Sequence, residues 1–227
     1  MGTDQKNVDR VASKRNGIAQ HSSESNEHYT PIPIVEVARE VMGSIDLDPA
    51  SCALANREIV RADRFFTKAD DGLSRDWNAR TVFVNPPGGR LYVDGKRTNR
   101  SQAQAFWFKA VSEWEKDPSR TICFLGFTLE LLRLSQFRNE NGSRVRASWD
   151  ALYFPFCVLR ERTDFLIERN GRLIEQGDPT HANVLICITS SFNTARRFEQ
   201  EAYRLGSVIT PTGVFHSGRT SWTFESQ

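Results

Sequence analysis

Thr81-Val82-Phe83-Val84-Asn85-Pro86-Pro87-Gly88-Gly89 runs a short strand-forming stretch into a turn that cannot continue it. The first four residues suit a strand buried on both faces. Pro86 and Pro87 have no N–H and a fixed φ, so they end the ladder. Pro87 also pushes Pro86 into the extended region, which makes the backbone carbonyls project outward and rigidly. In an open α/β sheet ligands bind outside the carboxyl ends of strands, so the chemistry is sought first at this elbow. An amino group conjugated to an aromatic base is a poor nucleophile because its lone pair is delocalised. The Asn85 side-chain oxygen and the Pro86 carbonyl would accept both of its hydrogens and favour a pyramidal nitrogen, and no general base is needed to start. From these three residues alone, an Asn cap with a Pro-Pro stop reads equally well.

The flanks supply the frame. Before the elbow, Ile34, Val35, Ala38, Val41 and Met42 recur with a helical period and stop at Gly43. Ile45-Asp46-Leu47-Asp48-Pro49 reads as a strand ended by proline, 59–67 as a weaker strand, and Asp70-Asp71-Gly72-Leu73 as a turn. After the elbow, Leu91-Tyr92-Val93 and Lys96-Arg97-Thr98 flank Asp94-Gly95, a strong hairpin signal. Ala103, Phe106, Trp107, Ala110, Val111 and Trp114 mark an amphipathic helix, followed by a strand from Thr121 to Leu125. A helix at 127–135, a polar loop at 138–148, strands at 154–160, 163–168, 183–189 and 206–210, and a helix at 194–205 complete the pattern, with a hairpin over Asn170-Gly171. Strands alternating with helices predict an α/β fold. It is an open, mostly parallel sheet covered on both faces, with an antiparallel edge hairpin.

Length and charge narrow the class. The 227 residues favour one α/β-sized domain, able to bury its core without staples. The longest apolar run, 151–159, is far short of the roughly 18 residues a membrane helix needs. With 30 basic against 28 acidic residues, any polyanion contact must come from local patches. Cys52, Cys123, Cys157 and Cys187 are widely spaced and read as reduced thiols of a cytosolic protein. Residues 1–26 are too poor in apolar side chains to order themselves and are expected as a disordered arm, with 27–210 as the domain and 211–227 as a tail.

Several strings together carry a resemblance. Glu27-His28-Tyr29-Thr30-Pro31, Asp46-Leu47-Asp48-Pro49-Ala50-Ser51, Ala62-Asp63-Arg64-Phe65-Phe66-Thr67-Lys68, Asp70-Asp71-Gly72-Leu73, Trp77 and Val84-Asn85-Pro86-Pro87 resemble, in order and spacing, the bacteriophage and prophage DNA adenine-N6 methyltransferases of the Dam-like type. The dense match spans 27–90, and a looser one runs through 103–114, Phe154-Pro155-Phe156-Cys157, Arg160 to Phe165 and Thr180-His181-Ala182-Asn183 to about residue 210. The resemblance implies a Rossmann-like fold that uses S-adenosyl-L-methionine in the cytoplasm of a bacterial host; monomer and homodimer both stay open. By that analogy Tyr29, Thr30 and Pro31 line the methionine end of the cofactor. Asp48, with Pro49 and Ala50, approaches its amino group or ribose, and Asp71 lies near its adenine. Asn85, Pro86 and Pro87 hold the target amine in line with the methyl.

The chain departs from that pattern in one place. Such enzymes usually carry an aromatic residue directly after the Pro-Pro pair, to stack on a base flipped out of the duplex, and here Gly88-Gly89 follow. Tyr92, Phe106 or Trp107 are the candidates to substitute for it; otherwise the pocket accepts something other than an ordinary flipped adenine. Arg90, Lys96, Arg97, Arg100 and Lys109 against Asp94 form a basic stretch beside the turn, which fits a phosphate-tracking surface, and Arg133, Arg138, Arg144 and Arg146 form a second. A small DNA-recognition module is expected from 88–102 and 133–150. His181 reads as a structural histidine, no histidine pair has metal spacing, and Cys52 reads as packing. Two rival functions remain. One is methyl transfer to another planar amine (cytosine, RNA guanine or protein glutamine). The other is a non-catalytic relative that binds DNA.

Overall fold

The computed structural model describes residues 28–140, 143–170, 172–177 and 181–211, so the expected arm at 1–26 and nearly all of the tail lie outside the described residues. Helix α1 (Ile32–Met42) begins behind Pro31 and stops at Gly43, whose φ of 83° is open to glycine at little cost. Strand β1 (Leu47–Asp48) follows, then α2 (Ala53–Ala55), which runs into a π-helical turn over Asn56–Val60, and β2 (Arg64–Phe65). Of the strand expected over 59–67 only Arg64–Phe65 forms; Ile59 and Val60 close the π-helical turn, and the residues between are irregular. The Asn56 side chain explains why: its Nδ2 donates to Ala62 O at 3.1 Å and its Oδ1 accepts from Ala62 N at 2.8 Å, while Arg61 takes a left-handed φ of 50°.

Strand β3 (Thr81–Val84) leads into the ribbon β4 (Arg90–Val93) and β5 (Lys96–Ser101), then α3 (Gln102–Lys116) and β6 (Thr121–Gly126). Helix α4 (Glu130–Leu134) precedes a second ribbon, β7 (Phe137–Glu140) and β8 (Ser143–Arg146), where a polar loop was expected. Strand β9 (Phe156–Leu159), the ribbon β10 (Leu166–Arg169) and β11 (Arg172–Glu175), β12 (Val184–Ile188), α5 (Phe192–Ala202) and β13 (Gly206–Ile209) complete the chain.

Seven strands form one sheet in the order β13-β9-β12-β6-β3-β1-β2. Strands β2, β1, β3 and β6 are parallel; β12 and β13 run against their neighbours, and β9 shares the direction of the first four. The sheet is thus mostly parallel, as expected. Its antiparallel part is not an edge hairpin, because β12 inserts between β6 and β9 and the hairpin over Asn170-Gly171 stands apart as the ribbon β10–β11. Local periodicity identifies strands but not partners that lie 60 or so residues away.

Alternation along the strands divides the core. Phe83, Cys123, Leu125 and Cys187 face α1 and α5 with Val35, Val41 and Phe198. Val82, Val84, Phe124 and Ile186 face α3 with Trp107, Ala110 and Trp114. Cys123, Cys157 and Cys187 are buried free thiols, and burial pushes the Cys157 thiol up to about 11. Among the described residues no helix is long and apolar enough to cross a membrane.

Candidate active site

The chain leaves β1 for β2 on one side and comes back through β3 on the other. The carboxyl ends of β1 and β3 therefore flank the point where strand order reverses, which is where such sheets bind ligands. Asp48 is the last residue of β1, and Asn85 is the first after β3.

Asp48 is buried, and its Oδ1 accepts the Ala50 N–H at 3.0 Å. Burial pushes its carboxyl up to about 6, against the Ala50 N–H and the nearby Ser51 hydroxyl, which both favour the anion. Ser51 Oγ is itself buried without hydrogen-bond geometry to any described group. Asp46, in contrast, is a tie between strands. Partial burial raises its carboxyl, but hydrogen bonds from Thr81, Arg80 and Ser44 outweigh this and hold it below its usual value.

The turn after β2 docks on Pro49. A Cβ on Gly72 would lie 1.9 Å from the Pro49 carbonyl oxygen, so only glycine allows this approach. Trp77 Nε1 clamps the turn by donating to Gly72 O at 2.8 Å, and Asp70 Oδ2 accepts from Thr67 N at 2.8 Å and Thr67 Oγ1 at 2.7 Å. Asp71, exposed and left-handed at φ 53°, is thereby held next to the Asp48-Pro49-Ala50 turn.

The segment before α1 joins the two strand ends. Tyr29 is buried, exchanges backbone hydrogen bonds with Leu166 at 2.8 and 2.9 Å, and receives the Cys52 thiol at its hydroxyl at 3.8 Å. Thr30 is buried behind it and Pro31 opens α1. Asn85 Nδ2 donates to His28 O at 3.1 Å. Since a carbonyl can only accept, that bond turns the amide so that Oδ1 faces the other way, and no described group donates to it. Asn85 is half-buried, Pro86 buried and Pro87 exposed, so the elbow sits at the rim of the fold.

The residues proposed to stack do not gather here. Trp107 is enclosed in the core, edge-on to Phe124 at 5.4 Å and to Phe154 at 6.3 Å, and Phe106 is equally buried, so neither can meet a base. Tyr92 is 59% exposed, out on the β4–β5 ribbon with Arg90, Lys96 and Arg97, while Arg100 is half-buried nearer the ribbon's base. A residue not singled out from the sequence is better placed. Phe127 follows β6 directly, beside the elbow of the neighbouring strand, and is half-buried. Its ring lies 6.4 Å from that of His28, 5.6 Å from Phe165 and 4.7 Å from the exposed His181. Asn183 holds this corner, donating to Phe127 O at 2.7 Å and accepting from Thr163 N at 3.3 Å. His28 Nδ1 and Thr163 Oγ1 are buried there without partners. The available signal in the sequence was an aromatic residue right after an apolar strand, on a different strand from Pro87.

The arrangement suits the cofactor implied by the resemblance. A buried carboxylate without a cationic partner among the described residues, beside the buried Ser51 hydroxyl, has the chemistry to receive an ammonium. Among the described residues no cluster of three or more histidine, cysteine or acidic side chains is placed to hold a metal. Comparison of the chain with protein-family models, with curated proteins and with solved structures gives no match.

Proposed function

We propose that the protein is an S-adenosyl-L-methionine-dependent DNA methyltransferase acting on the exocyclic amine of a flipped adenine. The observation that carries this reading is the Asn85 amide, locked by its bond to the His28 carbonyl so that its oxygen is left as an acceptor, across the strand-order reversal from the buried Asp48. The cofactor, when bound, supplies an electrophilic methyl on a cationic sulfur. Asp48 and the Ser51 hydroxyl would hold its ammonium end, Tyr29, Thr30 and Pro31 would wall it, and Asp71 would reach its far end.

Asn85 Oδ1 and the Pro86 carbonyl accept the two hydrogens of the target amine, which frees the nitrogen lone pair for in-line attack on the methyl. The bound cofactor would supply the methyl, its sulfur keeping the electron pair of the carbon–sulfur bond as the new carbon–nitrogen bond forms. The extra proton on nitrogen leaves to water at the exposed side of the elbow. Orientation and exclusion of water supply most of the rate. Phe127, in the neighbouring loop, offers the ring face that Gly88 and Gly89 lack.

The test is transfer of labelled methyl to DNA followed by nucleoside mass spectrometry. Wild type yields N6-methyladenine, and Asn85→Ala lowers kcat/KM at least about 100-fold, or roughly 2.7 kcal/mol of barrier. A folded wild type that binds the cofactor but labels no DNA rejects the reading, and label on another planar amine reassigns the substrate.

A further inference from the structure

Three ribbons rise from the same rim of the sheet as the candidate site, and they differ in charge. The first, β4–β5, leaves the carboxyl end of β3 through the Asn-Pro-Pro elbow and is closed at its base by Gln102 N donating to Gly89 O at 3.0 Å. The second, β7–β8, follows the carboxyl end of β6, the next strand in the sheet. The third, β10–β11, follows the carboxyl end of β9 and bridges to Tyr29 through Leu166.

The first two are tied to one another. Gln104, in the first turn of α3 where β5 ends, donates through Nε2 to Leu134 O at 3.2 Å and Phe137 O at 3.4 Å, just where β7 begins. The Arg138 guanidinium lies over the Phe108 ring of α3 at 5.5 Å, and that of Arg144 over Phe137 at 4.3 Å, which stiffens the second ribbon and docks it on the helix. Within the first ribbon, Arg90 donates to Asn99 O at 2.7 Å and Thr98 to Leu91 O at 2.9 Å. Arg90, Lys96, Arg97 and Arg100 oppose only Asp94 on the first ribbon, and Arg138, Arg144 and Arg146 oppose only Glu140 on the second. On the third, Arg169 and Arg172 are balanced by Glu168 and Glu175. The first ribbon also carries exposed Tyr92 and Val93, and the second exposed Val145.

We infer that β4–β5 and β7–β8 act together as a two-ribbon clamp on duplex DNA, with the first ribbon's apolar tip in a groove, while β10–β11 takes no part in phosphate tracking. Paired strands fit the major groove, and two basic ribbons tied to one helix offer cations to both phosphate walls of a duplex, which a single strand lacks. The charge contrast is the deciding observation: exposed ribbons share one rim, and only β4–β5 and β7–β8, the two tied to α3, are basic. This deepens the proposed function by naming the surface and the form of the DNA.

The test is fluorescence anisotropy of the full chain with a short labelled duplex across a salt series, without cofactor. Lys96→Gln/Arg97→Gln and Arg144→Gln/Arg146→Gln should each weaken binding about tenfold at fixed salt and lower the slope of log affinity against log salt by up to about 2. Arg169→Gln/Arg172→Gln should change neither, and the single strand should bind more weakly than the duplex. Equal losses from all three pairs, no loss from the first two, or tighter binding of the single strand would overturn the inference. A protein that grips duplex through both ribbons yet transfers no methyl overturns only the catalytic reading. One that labels DNA while its ribbon variants bind as wild type overturns only the clamp.

Discussion

At the scale of single residues, Asp48 pits stability against binding. Its carboxyl lies at about 6 in the fold against an ordinary 3.8, so the folded state binds more protons across that interval and stability falls as pH rises through it. Two units correspond to about 3 kcal/mol at most. Asp48→Asn should therefore make the protein more stable to urea at pH 7 by up to that amount, while lowering affinity for S-adenosyl-L-methionine by calorimetry at least about tenfold, the trade-off expected of a binding site. Wild-type affinity should rise with pH through about 6, and a variant that binds normally would remove Asp48 from the site. Phe127→Ala makes a separate demand: if its ring carries a base, KM for DNA should rise by the roughly 1–3 kcal/mol of lost stacking, with cofactor affinity unchanged. Asn85 and Asp48 were legible because each interrupts an apolar strand at its end. Phe127 was not, since its nearness to Asn85 depends on β3 pairing with β6, with Val84 opposite Phe124.

At the scale of elements, the docking of one turn on another organises the cofactor side. Gly72→Ala drives a Cβ into the Pro49 carbonyl, a backbone atom that cannot swing aside. The cost should be about 1–3 kcal/mol in chemical unfolding, as for other overpacked sites, with a larger proportional loss of cofactor binding because the Asp48-Pro49-Ala50 turn must shift. Intact binding with unchanged stability would show that the turn relaxes freely. Helix α1, the ribbon over Asp94-Gly95 and the strand at 81–84 were all readable from period and turn chemistry. The β7–β8 ribbon was missed although Asn141-Gly142, a hairpin dipeptide, stands in its sequence, because the arginines around it masked the alternation. The turn over Asn56–Val60 had no such signal, as its shape comes from the bonds Asn56 makes to Ala62.

At the scale of the whole molecule, Glu113 joins the far side of α3 to the sheet. The residue is 1% exposed, with Oε1 at 2.8 Å from Lys109 and 2.7 Å from Lys116, and Oε2 at 3.0 Å from Arg120 and 3.3 Å from the Trp77 N–H. Burial alone would raise its carboxyl, but the Lys109 and Lys116 ammoniums outweigh that and hold it at about 2. A depressed carboxylate stabilises the fold above its ordinary value and loses that contribution as pH falls toward the folded value, so wild type should lose stability below about pH 4.5. Glu113→Ala should cost about 1–3 kcal/mol at pH 7, read by urea unfolding, since it leaves the partly buried Lys109 and Arg120 without their acceptor. It should also flatten the acid limb, and an unchanged limb would place the acid sensitivity elsewhere. By itself the sequence determined where strands stop and which side chains wait at their ends, because hydrophobic period, proline and glycine act within a few residues. Only the tertiary structure decided that β12 lies between β6 and β9, that Trp107 is sealed in the core while Phe127 is partly open, and that the two basic ribbons share one helix. Those outcomes depend on which distant surfaces bury one another, a choice made by the packing of the whole chain.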